Sequence, residues 1–388
     1  MPFGDGPSAA DQQLIDHASH HGFAVTAKQL ASWRRTGLLP RNVSGGGLGQ
    51  GRGSSSWPPA ESFDLVVALA RCGGRGKRPA DLALLLFGDG LPVPEVTVRA
   101  AFRAAVDTVV IPDDETDSGD GADLDVRLDH LAAHLADTGQ AVTLVPARAR
   151  RIDERITRAL GGPPAGLAEL DKNAAPTPLT PQDAALTAVT ATLGSSVTLQ
   201  EVGDLLRAMS PAMPAHPIAS LVEATQEDIP DAAAKVLTDD GSLTVIPDGD
   251  VRDLLRTVAD SASLHDLAAG WKTALRVREW ALDLCERVEA ELNAGELGEA
   301  VTEWLHGRLL LSGLSVLEVL RDRRWSPSKG ALSTLGFLLQ RTMLATIGTL
   351  VPGCQWHVLE MPGVLPPPVR DFLLTKGVGP ANRATPGP

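Results

Sequence analysis

Between Thr26 and Pro40 the chain carries side chains of the types that can hydrogen-bond to phosphates and base edges: Lys28, Gln29, Arg34 and Arg35, with Arg41 directly after and Arg52 in the glycine-rich segment beyond. Lysine and arginine neutralise phosphates, while glutamine can pair with an adenine edge through its carbonyl and amide together. Thr26 suits the N-cap of a helix over Ala27–Arg35, because its hydroxyl can accept an orphan N–H of the first turn. Lys28 and Gln29 then fall on the first helical turn, where base contact is made, and Arg34, Arg35, Arg41 and Arg52 read as phosphate clamps. A second basic group, Arg75, Lys77 and Arg78, follows Arg71 in a turn and forms a further candidate phosphate contact.

These cations stand out against their surroundings. The chain has 388 residues and a formal net charge of −13, an average that argues against a polyanion partner. From Val25 to Ala80, however, nine basic residues face only Glu61 and Asp64, a local excess of seven positive charges. From Ile111 to Asp125 there are seven acids and no base. Segregation of this kind is expected of a basic binding module joined to an acidic body.

Other chemistries fit the residues less well. Gly45–Gly53 lacks the Gly-Lys-Ser/Thr ending, the preceding buried strand and the immediate helix of a phosphate-binding loop. His17 with His21, and His130 with His134, share helical faces, but neither pair has a third ligand nearby and neither forms His-Glu-x-x-His. Asp113–Gly119 lacks the glycine and closing glutamate of a calcium loop. No Gly-x-Ser-x-Gly elbow occurs, and Cys72, Cys285 and Cys354 are too scattered for a disulfide framework or a metal half-site. No enzymatic activity, cofactor or metal is therefore expected. Trp271, Trp280, Trp304 and Trp325 could line a ligand pocket, although packing is the commoner use of such residues.

The elements that must position the basic residues follow from periodicity. Leu14, Ile15 and Ala18 place a first helix over Asp11–His21, with Gly22 at its C-terminal cap. Gly37 and Pro40 end the second helix, and the segment Ser44–Pro59 is too rich in glycine for a helix but suits a hairpin loop or wing. Further helices are predicted over Ala60–Arg71, Pro79–Leu86 and Glu95–Val109. The stretch from Thr26 to Pro40, ending in Gly-Leu-Leu-Pro and followed by a glycine-rich wing, resembles the mercury-resistance (MerR-type) transcription regulators over about the first 90 to 110 residues. Ala31 stands where that family usually has arginine, and Trp33 where it usually has tyrosine. The resemblance implies a winged helix-turn-helix that binds double-stranded DNA.

A chain of this length exceeds a single core, and its 43% hydrophobic residues suffice for more than one. The expected fold is mainly α: a winged helix-turn-helix over 1–110, an acidic linker over 111–125, a helical segment over 126–160, a Pro/Gly/Ala-rich linker over 161–181, an all-helical bundle domain over 182–375 and a tail over 376–388. Within the bundle a long helix is predicted over His265–Leu292, interrupted upstream by a hairpin over Leu237–Ile246. The apolar stretch Ser333–Val351 contains Gln340 and Arg341 and reads as a buried helix rather than a membrane span. Met1–Gln13 has no apolar core, so a cytoplasmic location is expected. The partners expected are double-stranded DNA, a second copy of the chain in a homodimer, and a small-molecule effector, with no membrane contact. A protein-interaction adaptor built on the same scaffold is the alternative, and an enzyme hidden in Gln182–Gly353 is the third.

Overall fold

The computed structural model of the chain describes residues 7–45, 56–73, 77–108, 146–161, 198–209, 251–309, 311–321 and 325–375, with the single residues 219, 234 and 237. The predicted acidic linker over 111–125, the first part of the helical segment predicted over 126–160, most of the second linker and of the hairpin over 237–246, the tail, and both Arg52 and Arg75 lie outside the described residues. What is described is mainly helical, with a single two-stranded sheet among the described residues. Two compact units are formed. The first comprises Met1–Val109, Leu255–Lys272 and Ser326–Leu335, and the second comprises Val110–Leu254, Thr273–Trp325 and Gly336–Pro388.

In the first unit, α1 (Ala9–His20) begins where the Ser8 hydroxyl accepts the Asp11 N–H at 3.1 Å. It buries Ala10, Leu14 and Ala18 at helical spacing. It ends at Gly22, whose φ of +81° lets the chain turn back while the Phe23 N–H reaches the Ala18 carbonyl. After α2 (Ala27–Arg35), β1 (Val43–Ser44) and β2 (Ser56–Trp57) pair antiparallel with Val43 opposite Trp57. The predicted helices that follow are α3 (Glu61–Cys72), α4 (Pro79–Gly88) and α5 (Glu95–Val106). Helix α4 buries Leu82, Ala83, Leu84, Leu86 and Phe87, so it is enclosed on most sides, and Phe87 meets Phe102 of α5 edge to face at 6.0 Å.

The sequence closes this module near residue 110, but the compact unit takes in two later segments. Helix α8 (Val251–Ser261) ends against α5, where the Arg99 guanidinium donates to the Ala259 and Asp260 carbonyls at 2.8 and 2.7 Å. Those are orphan acceptors of a helix C-terminus, and a cation satisfies them in both charge and hydrogen bonding. Arg103 pairs with Asp260 at 2.6 Å and Arg256 with Asp107 at 2.7 Å. Gly88 gives room to the Trp271 indole, which is 2% exposed, and Ser328 donates to Asp81 at 3.1 Å. Sequence separation hides these contacts, since nothing local in 255–272 marks it as a partner of α5.

The second unit is built from α6 (Ala147–Ala159), α7 (Leu199–Met209), the remainder of α9 (Leu264–Ala294), α10 (Glu299–Leu309), α11 (Leu311–Arg321), the remainder of α12 (Pro327–Leu350), α13 (Cys354–Glu360) and α14 (Pro367–Thr375). The long helix predicted over His265–Leu292 is α9, and the apolar stretch near 333–351 lies largely in α12. Ala149, Ile152 and Ile156 of α6 join Ala281, Leu284, Cys285 and Val288 of α9, Trp304 of α10 and Val316 of α11 in one apolar core. Glu291 of α9 accepts the N–H groups of Gly298, Ala300 and Val301 and so closes the N-terminus of α10. No helix among the described residues is long and apolar enough to cross a membrane.

Candidate nucleic-acid interface

Helix α2 is fixed at its start by a reciprocal cap. The Gln29 N–H donates to the Thr26 hydroxyl at 3.3 Å, and the Gln29 side-chain carbonyl accepts the Thr26 N–H at 2.8 Å and its hydroxyl at 2.9 Å. Thr26 therefore caps the helix. The carbonyl oxygen of Gln29 is engaged as well, so the bidentate adenine contact expected of it would require opening the cap. Lys28, between them, is exposed and makes no such contact.

The Gly-Leu-Leu-Pro ending of the motif has a packing role. Gly37 adopts φ +74°, and its carbonyl accepts the Thr97 hydroxyl at 2.8 Å. A Cβ there would fall 2.5 Å from the Thr97 oxygen, so both conformation and space call for glycine. The turn carries Leu38 and Leu39 into the core, each 1% exposed, while their N–H groups return to the Trp33 carbonyl. Trp33 is half-buried, and Leu30 is fully buried.

The arginines divide into two kinds. Arg34 is spent inside the fold: it forms an ion pair with Asp11 of α1 at 2.6 Å, donates to the Asn42 side chain at 2.9 Å, and its side chain is only 16% exposed. In place of the expected phosphate clamp it ties α1, α2 and the approach to β1 together. Neither Asp11 nor Asn42 stands out in the sequence, because each is a common surface residue whose partner is set by the turn between the helices. Arg35 remains exposed, with one long contact to the Ser32 hydroxyl at 3.5 Å, and Arg41 is exposed immediately before β1. Lys28 and Arg35 are seven residues apart, which places them on one face of α2 about 10 Å apart along its axis. Lys77 and Arg78 are exposed on the approach to α4, with Arg78 at its N-cap.

The hairpin presents an apolar pair beside these cations. Val43 is 43% exposed and its cross-strand neighbour Trp57 is 47% exposed. His17 and His21 have ring centroids 4.8 Å apart and line an open cleft of about 470 Å³ with Asp64, Arg71 and Asp89. Among the described residues no group of three or more His, Cys, Asp or Glu side chains is placed to hold a metal ion.

Sequence reasoning overlooked a further basic element. Helix α6 carries Arg148, Arg150, Arg151, Arg155 and Arg158 within thirteen residues. Arg148 forks onto Glu289 of α9 at 2.9 and 2.8 Å, and that bidentate bond holds the Glu289 carboxyl below its ordinary pKa. Arg155 donates to Asn293 at 2.9 Å. Asp153 accepts the Trp304 indole N–H at 2.7 Å and the Arg308 guanidinium at 3.1 Å. The signal lies in composition, five arginines in one helical segment, which periodicity alone treats as an ordinary helix.

No family model, no curated protein and no solved structure matches the chain.

Proposed function

We propose that the chain is a DNA-binding transcriptional regulator whose first unit acts as a MerR-like winged helix-turn-helix. In this reading α2 enters the major groove, the β1–β2 hairpin serves as a wing, and the second unit supplies dimerisation or effector sensing in the cytoplasm. The observation that carries it is the pair Lys28 and Arg35, both exposed on one face of α2, with exposed Arg41 at the foot of the hairpin that follows. A helix with an exposed cation at each end of one face suits insertion into a groove. Lys28 takes the base-edge role. Arg35, Arg41, Lys77 and Arg78 fix the register on phosphates.

The test is binding of the full chain to labelled duplex DNA across a salt series. Affinity that falls steeply with salt, and that drops in Lys28→Ala/Arg35→Ala, supports the proposal; salt-independent or absent binding refutes it.

The exposed Val43 and Trp57 favour a second reading, an adaptor whose hairpin docks on a protein. An exposed aromatic beside an exposed aliphatic side chain is a common anchor in protein contacts. Trp57→Ala separates the two, because it would leave the salt slope of DNA binding unchanged while removing such a protein contact.

A further inference from the structure

We propose that the outward face of α6 is a second phosphate-binding surface, formed by Arg150, Arg151 and Arg158 and engaging the sugar-phosphate backbone of DNA; it rests on the DNA-binding reading of the chain. The helix is oriented by its other residues. Ala149, Ile152 and Ile156 are buried, Arg148 and Arg155 are held by Glu289 and Asn293, and Asp153 is held by Trp304 and Arg308. With the inner face fixed in this way, helical geometry leaves Arg150, Arg151 and Arg158 outward, and all three are exposed.

None of the three forms an ion pair within the described residues. Arg151 donates only to the Ala147 carbonyl of its own helix at 3.3 Å. Glu154 is the one acid on the same face, and Asp153 points inward, so three guanidiniums meet a single exposed carboxylate. Like charges at this density repel and gain nothing from the fold, which makes them costly unless a polyanion neutralises them. Every cation on the helix is arginine, the side chain whose planar fork matches phosphate oxygens. Arg151 and Arg158 stand about 10 Å apart along the helix axis, close to the rise over three phosphate-to-phosphate steps of one strand at roughly 3.4 Å each. In a chain whose net charge is −13, such a face is a local exception.

The test uses the full chain and a fluorescein-labelled mixed-sequence duplex, titrated over a salt series. Arg150→Gln/Arg151→Gln/Arg158→Gln is expected to lower the slope of log K against log salt by about 2 to 3, near 0.9 for each phosphate no longer neutralised. An unchanged slope in a variant with native circular dichroism overturns the proposal. Tighter binding also overturns it, since that result would mean the face holds the acidic stretch Asp113–Asp125 of the chain instead of DNA. Should the triple variant lose helical signal, Arg158→Gln alone is decisive: its slope falls by about 0.9 or the proposal is wrong. Lys28→Ala/Arg35→Ala, run beside it, separates the two readings. If that variant binds as wild type while the arginine triple weakens the slope, the role of α2 fails and the α6 surface stands. If the wild-type chain fails to bind at low salt, both fall.

Discussion

Arg34 and Arg35 are neighbours in sequence with opposite fates, and the difference is steric. One hundred degrees of helical rotation turns Arg34 toward Asp11 and Asn42 and leaves Arg35 in solvent. Arg34→Ala is therefore expected to cost roughly 1–3 kcal/mol of stability in urea unfolding, because it leaves Asp11 and Asn42 without their charged partner. Lys28→Ala should change stability by less than about 0.5 kcal/mol and act on binding alone. A sequence shows that both arginines are basic but not which one the fold consumes. Gln29 teaches the same lesson: its type fits adenine and a capping box equally, and only geometry reveals that its carbonyl is already held by Thr26. The cysteines give a separate check. Burial in the α6–α9 core pushes the Cys285 thiol up to about 11, so at pH 8 almost none of it is thiolate. Iodoacetamide followed by peptide mass spectrometry should label half-buried Cys72 well before Cys285 in the native chain. Equal labelling would contradict the packing of α6 on α9.

At the scale of elements, the helices are the most legible feature. Leu14 and Ala18 fix the inner face of α1, Pro79 opens α4, and the long periodic run from His265 becomes α9. Local punctuation is legible too, since Gly22 and Gly37 both take the left-handed conformation their positions suggest. Gly37→Ala should destabilise the first unit by at least about 1 kcal/mol from backbone strain, with the contact to Thr97 added. Thr97→Ala in that background would relieve the contact but not the strain, so recovery should be partial. What no local pattern announces is a cap supplied from another helix. Three N–H groups donated to Glu291 hold its carboxyl below the usual glutamate pKa. A carboxyl lowered on folding contributes stability that is present above its unfolded pKa and is lost as pH falls through its folded pKa. Glu289, lowered by Arg148, acts in the same direction. Acid unfolding of Glu291→Gln should thus begin from a less stable state near neutrality and converge on wild type at low pH. A difference that grows toward low pH would contradict the cap.

For the molecule as a whole, the predominance of helix follows from the sequence, but the division of the chain does not. Residues 255–272 and 326–335 belong with the first unit because Arg99, Arg103 and Asp107 find their partners on α8, and Gly88 and Asp81 meet Trp271 and Ser328. Contacts across 150 to 250 residues carry no periodic signature, so a boundary drawn at the acidic stretch near 111–125 looks natural in sequence and still separates elements that pack together. A fragment ending at residue 110 would strip α5 of its charged partners and should unfold at lower urea concentration than the corresponding transition of the full chain. Binding therefore has to be measured on the full chain. The most direct measurement is the slope of log K against log salt for the full chain on duplex DNA, in wild type and in Lys28→Ala/Arg35→Ala. A steep negative slope that becomes shallower by about 1 to 2 in the variant, with unchanged urea stability, is the predicted result. A flat slope in wild type, or the same slope in both proteins, would contradict DNA binding through α2.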